Sequence, residues 1–154
     1  MGTDDLGQVM AIEGASFNAP WSRQLFLTEF RNPAVSTLLV ALDARQSSRT
    51  VAGYIVFWVV ADEIHIMNLA VAQKARRQGI GEELVRYGLR HGYRKGAQVA
   101  FLEVRASNSA AQVLYSHLGF TRAGLRKGYY DNPREDAVVM TLDQDAFLKL
   151  VKEG

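Results

Sequence analysis

Apolar positions along the chain change period several times, and each change marks an element. Leu6, Val9, Met10 and Ile12 predict a helix, capped by Thr3 or Asp4 and running to about Ser16. Asn18-Ala19-Pro20 breaks it. Ser22 then caps a second short helix to about Phe30, and Asn32-Pro33 stops that one. Ser36–Leu42 and Val51–Val60 are rich in β-branched and aromatic residues and predict two strands, joined by polar residues Asp43–Arg49.

A third strand is expected over Glu63–Val71. Its apolar phase slips: Ile64 and Ile66 are even, Leu69 and Val71 odd. One extra residue near Met67-Asn68 produces such a slip, which predicts a β-bulge and backbone N–H groups released from the ladder. Beyond it, Ile80, Leu84, Val85 and Leu89 form the buried stripe of a helix to about Tyr93. Val99–Arg105 follows as a strand, then Asn108–Leu118 as a short helix ended by Gly119. Thr121–Lys127 and Ala137–Leu142 complete the strands, joined by Gly128–Asp136, and Asp145–Lys152 predicts a last helical turn or two. The order implies an α/β (α+β) fold: a mixed sheet flanked by helices, formed by residues 1–154 as a single domain.

Composition narrows the chemistry. The chain has 154 residues, 48% hydrophobic and 22% charged, an ordinary globular mix that excludes a disordered or collagen-like chain. It has no cysteine, so disulfides, thiolate nucleophiles and cysteine-bound metal centres are excluded. With three scattered histidines, read as structural or surface residues, no metal site is expected. The longest apolar run, Tyr54–Ala61, is strand-sized, and Met1–Leu6 lacks the basic and apolar regions of a signal peptide. The expectation is a soluble, cytoplasmic protein with no membrane partner.

The net charge of +2 hides an asymmetry: Lys74–Arg134 holds 12 Lys and Arg against 4 Asp and Glu. Arg86, Arg90 and Arg94 repeat at i, i+4 and read as a solvated helix face. The run Arg76-Arg77-Gln78-Gly79-Ile80-Gly81 is different, because it joins a strand to a helix. The first N–H groups of a helix lack intrahelical partners and carry the positive dipole end, and glycines let an anion approach them. A phosphate or pyrophosphate suits that cradle. The Walker spacing is absent, and Leu84 stands where a dinucleotide fingerprint needs its third glycine.

Arg76-x-x-Gly79-x-Gly81 resembles the signature of the GNAT superfamily, the acetyl-CoA-dependent N-acetyltransferases. Ile66–Val71 stands where that family has its bulged, cofactor-polarising strand. Leu102-Glu103-Val104-Arg105-Ala106-Ser107-Asn108 and Leu114-Tyr115-x-x-Leu118-Gly119-Phe120 resemble the ribosomal-protein-alanine N-acetyltransferases, the RimI group. Pro20-Trp21-Ser22, Arg126–Tyr130 and Arg134–Ala137 fit the same group. The resemblance spans about Asp4 to Leu142. It implies a GNAT fold with a mostly antiparallel central sheet; family members usually have a strand before the first helix, so the first edge strand is expected to be missing or shortened here.

The resemblance also implies roles. Acetyl-CoA is the cosubstrate, with Leu69, Ala70 and Val71 polarising its carbonyl and Arg76, Arg77, Gln78, Gly79, Ile80, Gly81 and Glu82 cradling its pyrophosphate. Glu103 lies in an otherwise apolar strand, where a carboxylate is either at a cleft or in an ion pair, for instance with Arg105. Desolvation there would raise its pKa, and the resemblance makes it the base, acting through a water. Asn108, Ala111 and Tyr115 share one helix face, with Asn108 and Tyr115 about 10 Å apart along the axis. The resemblance gives Asn108 to the cofactor and makes Tyr115 the acid that protonates the departing thiolate. Trp21, Tyr129 and Tyr130 are candidates for the peptide site, with core packing an equal competitor.

The activity implied is acetylation of a protein N-terminus, that of a ribosomal protein beginning with alanine. Rival readings are a GNAT enzyme acting on lysine or a small amine, and a non-catalytic acyl-CoA sensor, which the presence of both Glu103 and Tyr115 disfavours. Direct nucleic-acid recognition rests only on the basic segment and is not expected, since no reader motif is present.

Overall fold

A computed structural model describes residues 1–154. One six-stranded sheet organises the chain: β1 (Ser36–Leu42), β2 (Val51–Val60), β3 (Glu63–Val71), β4 (Val99–Arg105), β5 (Thr121–Tyr130) and β6 (Glu135–Leu142), in the order β1-β2-β3-β4-β6-β5. Only β3 and β4 run parallel, and α3 (Ile80–Arg94) makes the crossover between them. The other helices are α1 (Leu6–Ser16), α2 (Arg23–Phe30), α4 (Ser109–His117) and α5 (Gln144–Lys152). None is long and apolar enough to cross a membrane.

The sheet separates two cores. On one face Ile55, Phe57, Ile64, Ile66 and Leu102 pack with Leu84, Val85 and Leu89 of α3, Tyr115 of α4 and Phe147 of α5. On the other, Tyr54, Val56 and Ala70 pack with Leu6, Val9 and Ile12 of α1 and Phe26 of α2. Alternation along β2 feeds both faces, as a period of two requires. Glycines let α3 sit close: a Cβ on Gly92 would overlap Ile64, and one on Gly88 would lie 3.2 Å from Phe57.

No strand precedes α1. Residues Thr3–Asp5 form a 3₁₀ turn, and the Met1 ammonium donates to Leu38 O on β1, the edge strand. Neither Thr3 nor Asp4 caps α1; Asp5 holds the cap position, but its carboxylate turns back, Oδ2 accepting from Gly2 N–H at 2.8 Å while Arg49 holds both oxygens. Ser22 caps α2 as expected, accepting from Leu25 N–H. The hairpin is longer than predicted: β5 runs on through Gly128, Tyr129 and Tyr130, and only residues 131–134 connect it to β6. Gly128 takes φ +59° and the register shifts between Arg126 and Tyr130, so the glycine serves an irregular strand rather than a turn. The arginine face of α3 is wetter at Arg94 than elsewhere. Arg86 and Arg90 are half-buried, and Arg86 donates to Glu82 at 2.9 Å.

Candidate active site

The site lies where two strands part. Pairing of β3 with β4 stops at Ile66↔Leu102, while β3 stays with β2 to Val71 and β4 stays with β6 to Arg105. Beyond Ile66 and Leu102 the facing backbone edges have no strand partner. The bulge sits at this fork. Val56 pairs with Asn68 and Phe57 with Ile66, so Met67 is the extra residue. The phase slip follows: Ile64, Ile66 and Leu69 pack on one face, Met67 and Ala70 on the other. From Leu69 to Val71 the backbone alternates between the β2 ladder and the fork, so part of it can face a ligand there, while Val71 O already accepts from Arg76 Nε.

A cavity of about 400 Å³ occupies the fork. Glu103, Asn108, Ala111 and Tyr115 line it from the β4–α4 side, and Leu69 from β3. Trp21, Tyr129 and Tyr130 also line it, so all three expected peptide-site aromatics gather here. The residues for which core packing was an equal competitor form a wall.

Tyr115 is 5% exposed and packs edge-on against Phe120, yet its hydroxyl has no hydrogen-bond partner in the protein. Burial first, and Tyr130 second, push its pKa far above that of an ordinary phenol. It stays protonated at any working pH. Tyr130 is pushed up to about 12, chiefly by burial, with Tyr129 and Glu103 adding to it. Asn108 Oδ1 caps α4 by accepting from Ala111 N–H at 3.1 Å, which leaves its Nδ2 as the group it can offer.

Glu103 stands at the cleft and beside a basic group, the two settings that its place in an apolar strand allows. Its side chain is 25% exposed, and Arg126 Nη2 lies 3.6 Å from Oε1. Arg105, the partner that its place in the strand suggests, is engaged elsewhere. It donates to Pro133 O and Asp131 O, pairs with Glu135, and stacks over Tyr130 at 4.4 Å. Arg105 thus clamps the hairpin that carries the two tyrosines.

The cradle adjoins the fork at the end of β3. No backbone N–H from Arg77 to Glu82 finds a backbone acceptor. Arg77 (φ +59°) and Gly79 (φ +78°) both take left-handed backbone, which turns successive amides to one side. A Cβ on Gly79 would meet nothing within 4 Å, so the approach is open. The missing side chain of Gly81 faces Leu114 at 3.5 Å and Val71 at 3.6 Å, where α3, α4 and β3 meet, and its N–H is one of the unpaired amides. Arg76 also differs. Its guanidinium donates to Val71 O and Ser16 Oγ, bracing the end of β3 against α1. Gln78 Nε2 folds back onto Lys74 O, and Glu82 pairs with Arg86.

Residues 6–120 match the acetyltransferase (GNAT) family model. The chain belongs to the GNAT acetyltransferase family. A Bacillus subtilis (strain 168) chain, named as a candidate ribosomal protein bS18-alanine N-acetyltransferase, is 37% identical over 141 residues, covering 91% of this chain and 90% of its own. The crystal structure of the ribosomal-protein-S18-alanine N-acetyltransferase from Escherichia coli superposes with a TM-score of 0.81 at 33% identity, covering 94% of this chain and 90% of that one. A chain of the NatC complex bound to Gag peptide and CoA superposes with a TM-score of 0.80 at 25% identity, covering 92% of each. This GNAT chain is an N-acetyltransferase by its family and relatives.

One residue of the site has no place among the sequence motifs. Glu13 of α1 is 1% exposed and lines the cavity. A signal for it exists in the pattern: Leu6, Val9 and Glu13 follow i, i+3, i+7, so the acid falls on the buried stripe.

Proposed function

We propose that residues 1–154 act as a single N-acetyltransferase domain in the cytoplasm, moving the acetyl group of acetyl-CoA to the N-terminal alanine of a ribosomal protein. The observation that carries this reading is the fork: one cavity lined by Glu103, Tyr115 and three aromatic residues, continuous in the fold with a row of unpaired amides. Those amides, the open face of Gly79 and the unpaired edge of β3 fit a phosphorylated thioester cofactor.

Acetyl-CoA, when bound, supplies an electrophilic thioester carbonyl. The protein does the rest. Amides of residues 77–82 hold the pyrophosphate at the positive end of α3. Backbone on the free edge of β3 at Leu69–Val71 stabilises negative charge developing on the carbonyl oxygen. A peptide amine titrates near pH 8, so a modest base suffices to free its lone pair. Glu103 takes that proton through a water, for which its partly exposed position leaves room. The hydroxyl of Tyr115 donates toward the departing sulfur. Trp21, Tyr129 and Tyr130 flank the entry and orient the peptide. The substrate is a protein N-terminus, not a nucleic acid or a membrane.

Mass spectrometry tests this. A peptide with the N-terminal sequence of ribosomal protein S18, incubated with the protein and acetyl-CoA, gains one acetyl group on its α-amine. Transfer to free lysine or small amines with none to the peptide would overturn the substrate assignment.

A further inference from the structure

Glu13 is a deeply buried carboxylate that the transfer chemistry above leaves unused. Asp5, equally buried, is paired with Arg49, whereas Glu13 lies within ion-pair distance of no cation. Three neutral donors converge on it instead. Trp21 N–H donates to Oε1 at 2.8 Å, and Oε2 accepts from Asn68 Nδ2 at 2.9 Å and from the Tyr54 hydroxyl. Burial raises its pKa despite the bonds from Trp21 and Asn68. A group held so deep, against its solvation, needs all of its partners.

Those partners are not equivalent. Trp21 belongs to the loop between α1 and α2, which forms the peptide-side wall of the cavity together with Phe17 and Ala19. Asn68 follows the bulged Met67 on β3, on the cofactor side of the fork. Tyr54 is a fully buried core residue of β2 and does not line the cavity. One carboxylate therefore bridges the two walls between which the reaction takes place.

We propose that Glu13 is a positioning residue of the transfer site, fixing the Trp21 loop to the bulged end of β3 so that peptide amine and thioester meet in register. This rests on the transfer function proposed above. The physical reason is reach. The loop 17–22 has no strand or helix of its own, and its own backbone ties are few. A carboxylate whose two oxygens are separately bonded sets the distance between the walls. In Glu13→Gln one oxygen becomes an NH₂ that meets the Trp21 N–H or the Asn68 NH₂, so the bridge is held only at the cost of turning the Asn68 amide over.

The test compares three variants of the whole chain by circular dichroism, steady-state kinetics on the S18 peptide, acetyl-CoA calorimetry and hydrogen exchange. Glu13→Gln should lower kcat/KM for the peptide by about 10- to 100-fold, the scale of a displaced reacting group. Acetyl-CoA affinity should stay within about 2-fold, because the cradle amides lie outside the bridge. Asn68→Leu cuts the same bridge from a less buried position and should show the same split even if Glu13→Gln folds poorly. Tyr54→Phe removes a bond to Glu13 that reaches neither wall, so it should lower Tm and keep peptide KM. A purely structural Glu13 would give the opposite pattern: folded Glu13→Gln and Asn68→Leu enzymes with near-normal peptide kinetics, or loss that tracks Tm in all three. Should the unaltered protein acetylate no peptide, the function assignment fails by itself, and exchange then decides this proposal. Faster exchange at residues 17–22 and 67–69 in both bridge variants, with α3 unchanged, supports it; unchanged exchange there overturns it.

Discussion

Replacing Tyr115 by Phe separates chemistry from packing more cleanly than any other single change in this site. The ring packs against Phe120 and is 5% exposed, and Phe keeps that packing. The hydroxyl makes no hydrogen bond within the protein, so its removal leaves no orphaned partner. Stability should therefore change by less than about 0.5 kcal/mol, the level of a substitution that breaks no named interaction. For a domain of this size that is under about 2 °C in Tm. Turnover should fall much further. A positioned acid is worth about 100- to 10,000-fold, which is about 3–5 kcal/mol of barrier. The donor matters only as negative charge grows on sulfur, so kcat should drop while acetyl-CoA affinity holds.

The pH dependence sharpens this. The folded pKa of Tyr115 is raised far above the free value near 10. Its protonated form is thus the native form. Any stability it contributes is complete below about pH 10 and is lost only as pH rises toward the folded value. No alkaline limb below about pH 10 should belong to Tyr115, and Tyr115→Phe should shift none. The assay is stopped-flow or coupled thiol release between pH 6 and 9, with calorimetry of acetyl-CoA binding. Turnover within about 3-fold of the unaltered enzyme would refute the acid role, because losing a positioned acid costs at least about 100-fold.

Glu103→Gln should keep the fold, since its partner Arg126 is exposed, and reduce turnover by about 100-fold or more near neutral pH, where the peptide amine is still protonated; steady-state rates check it. Gly79→Val forces a β-branched residue to φ +78° at a strain of about 1–3 kcal/mol, and calorimetry should show weaker acetyl-CoA binding as the loop relaxes away from its row of amides. Gly92→Ala places a methyl against Ile64 at the α3–β3 contact, with Cγ1 at 2.6 Å, and thermal melts should show a loss of about 1–3 kcal/mol. Asp5 is held below its ordinary pKa by Arg49, so its contribution is present above the unfolded carboxylate value and lost as pH falls through the folded one. Asp5→Asn should therefore lower Tm at neutral pH, and the gap should narrow as pH falls below the ordinary carboxylate range.

Local pattern carried much of this fold. Four strands begin and end where apolar, β-branched runs or alternation begin and end, because polar residues bound them. The bulge was legible for the same reason: a period of two has no slack, so one extra residue at Met67 moves every later side chain to the opposite face. The end of β5 was not legible. Gly128 has the composition of a turn, and only the pairing of Tyr130 with Glu135 across the sheet keeps the strand going. Partners distant in sequence were equally hidden. Nothing local to Arg76 shows that it braces Val71 O and Ser16, and nothing local to Arg105 shows its clamp on Pro133, Asp131 and Glu135.

The hidden partners and the legible slip meet at the same place, and there is a physical reason. A parallel pair whose strands each have a better antiparallel neighbour can open at one end at little cost, because β2 and β6 keep the outer ladders intact. The bulge lets β3 bend away from β4 just past Ile66, and the exposed edge then needs something to satisfy it. Polar groups that would be liabilities elsewhere in a core, the carboxylates of Glu13 and Glu103 and the unbonded hydroxyl of Tyr115, all border that opening. Each breaks the apolar pattern of its own element: Glu13 on the buried stripe of α1, Glu103 within β4, Tyr115 on the inward face of α4. Where most elements agree with the fold, breaks of this kind at one opening are where function is expected. Glu13 belongs with the other two on that ground. An acid on the buried face of a short helix is costly unless the structure gains something from it, and here its bonds run to both walls of the opening.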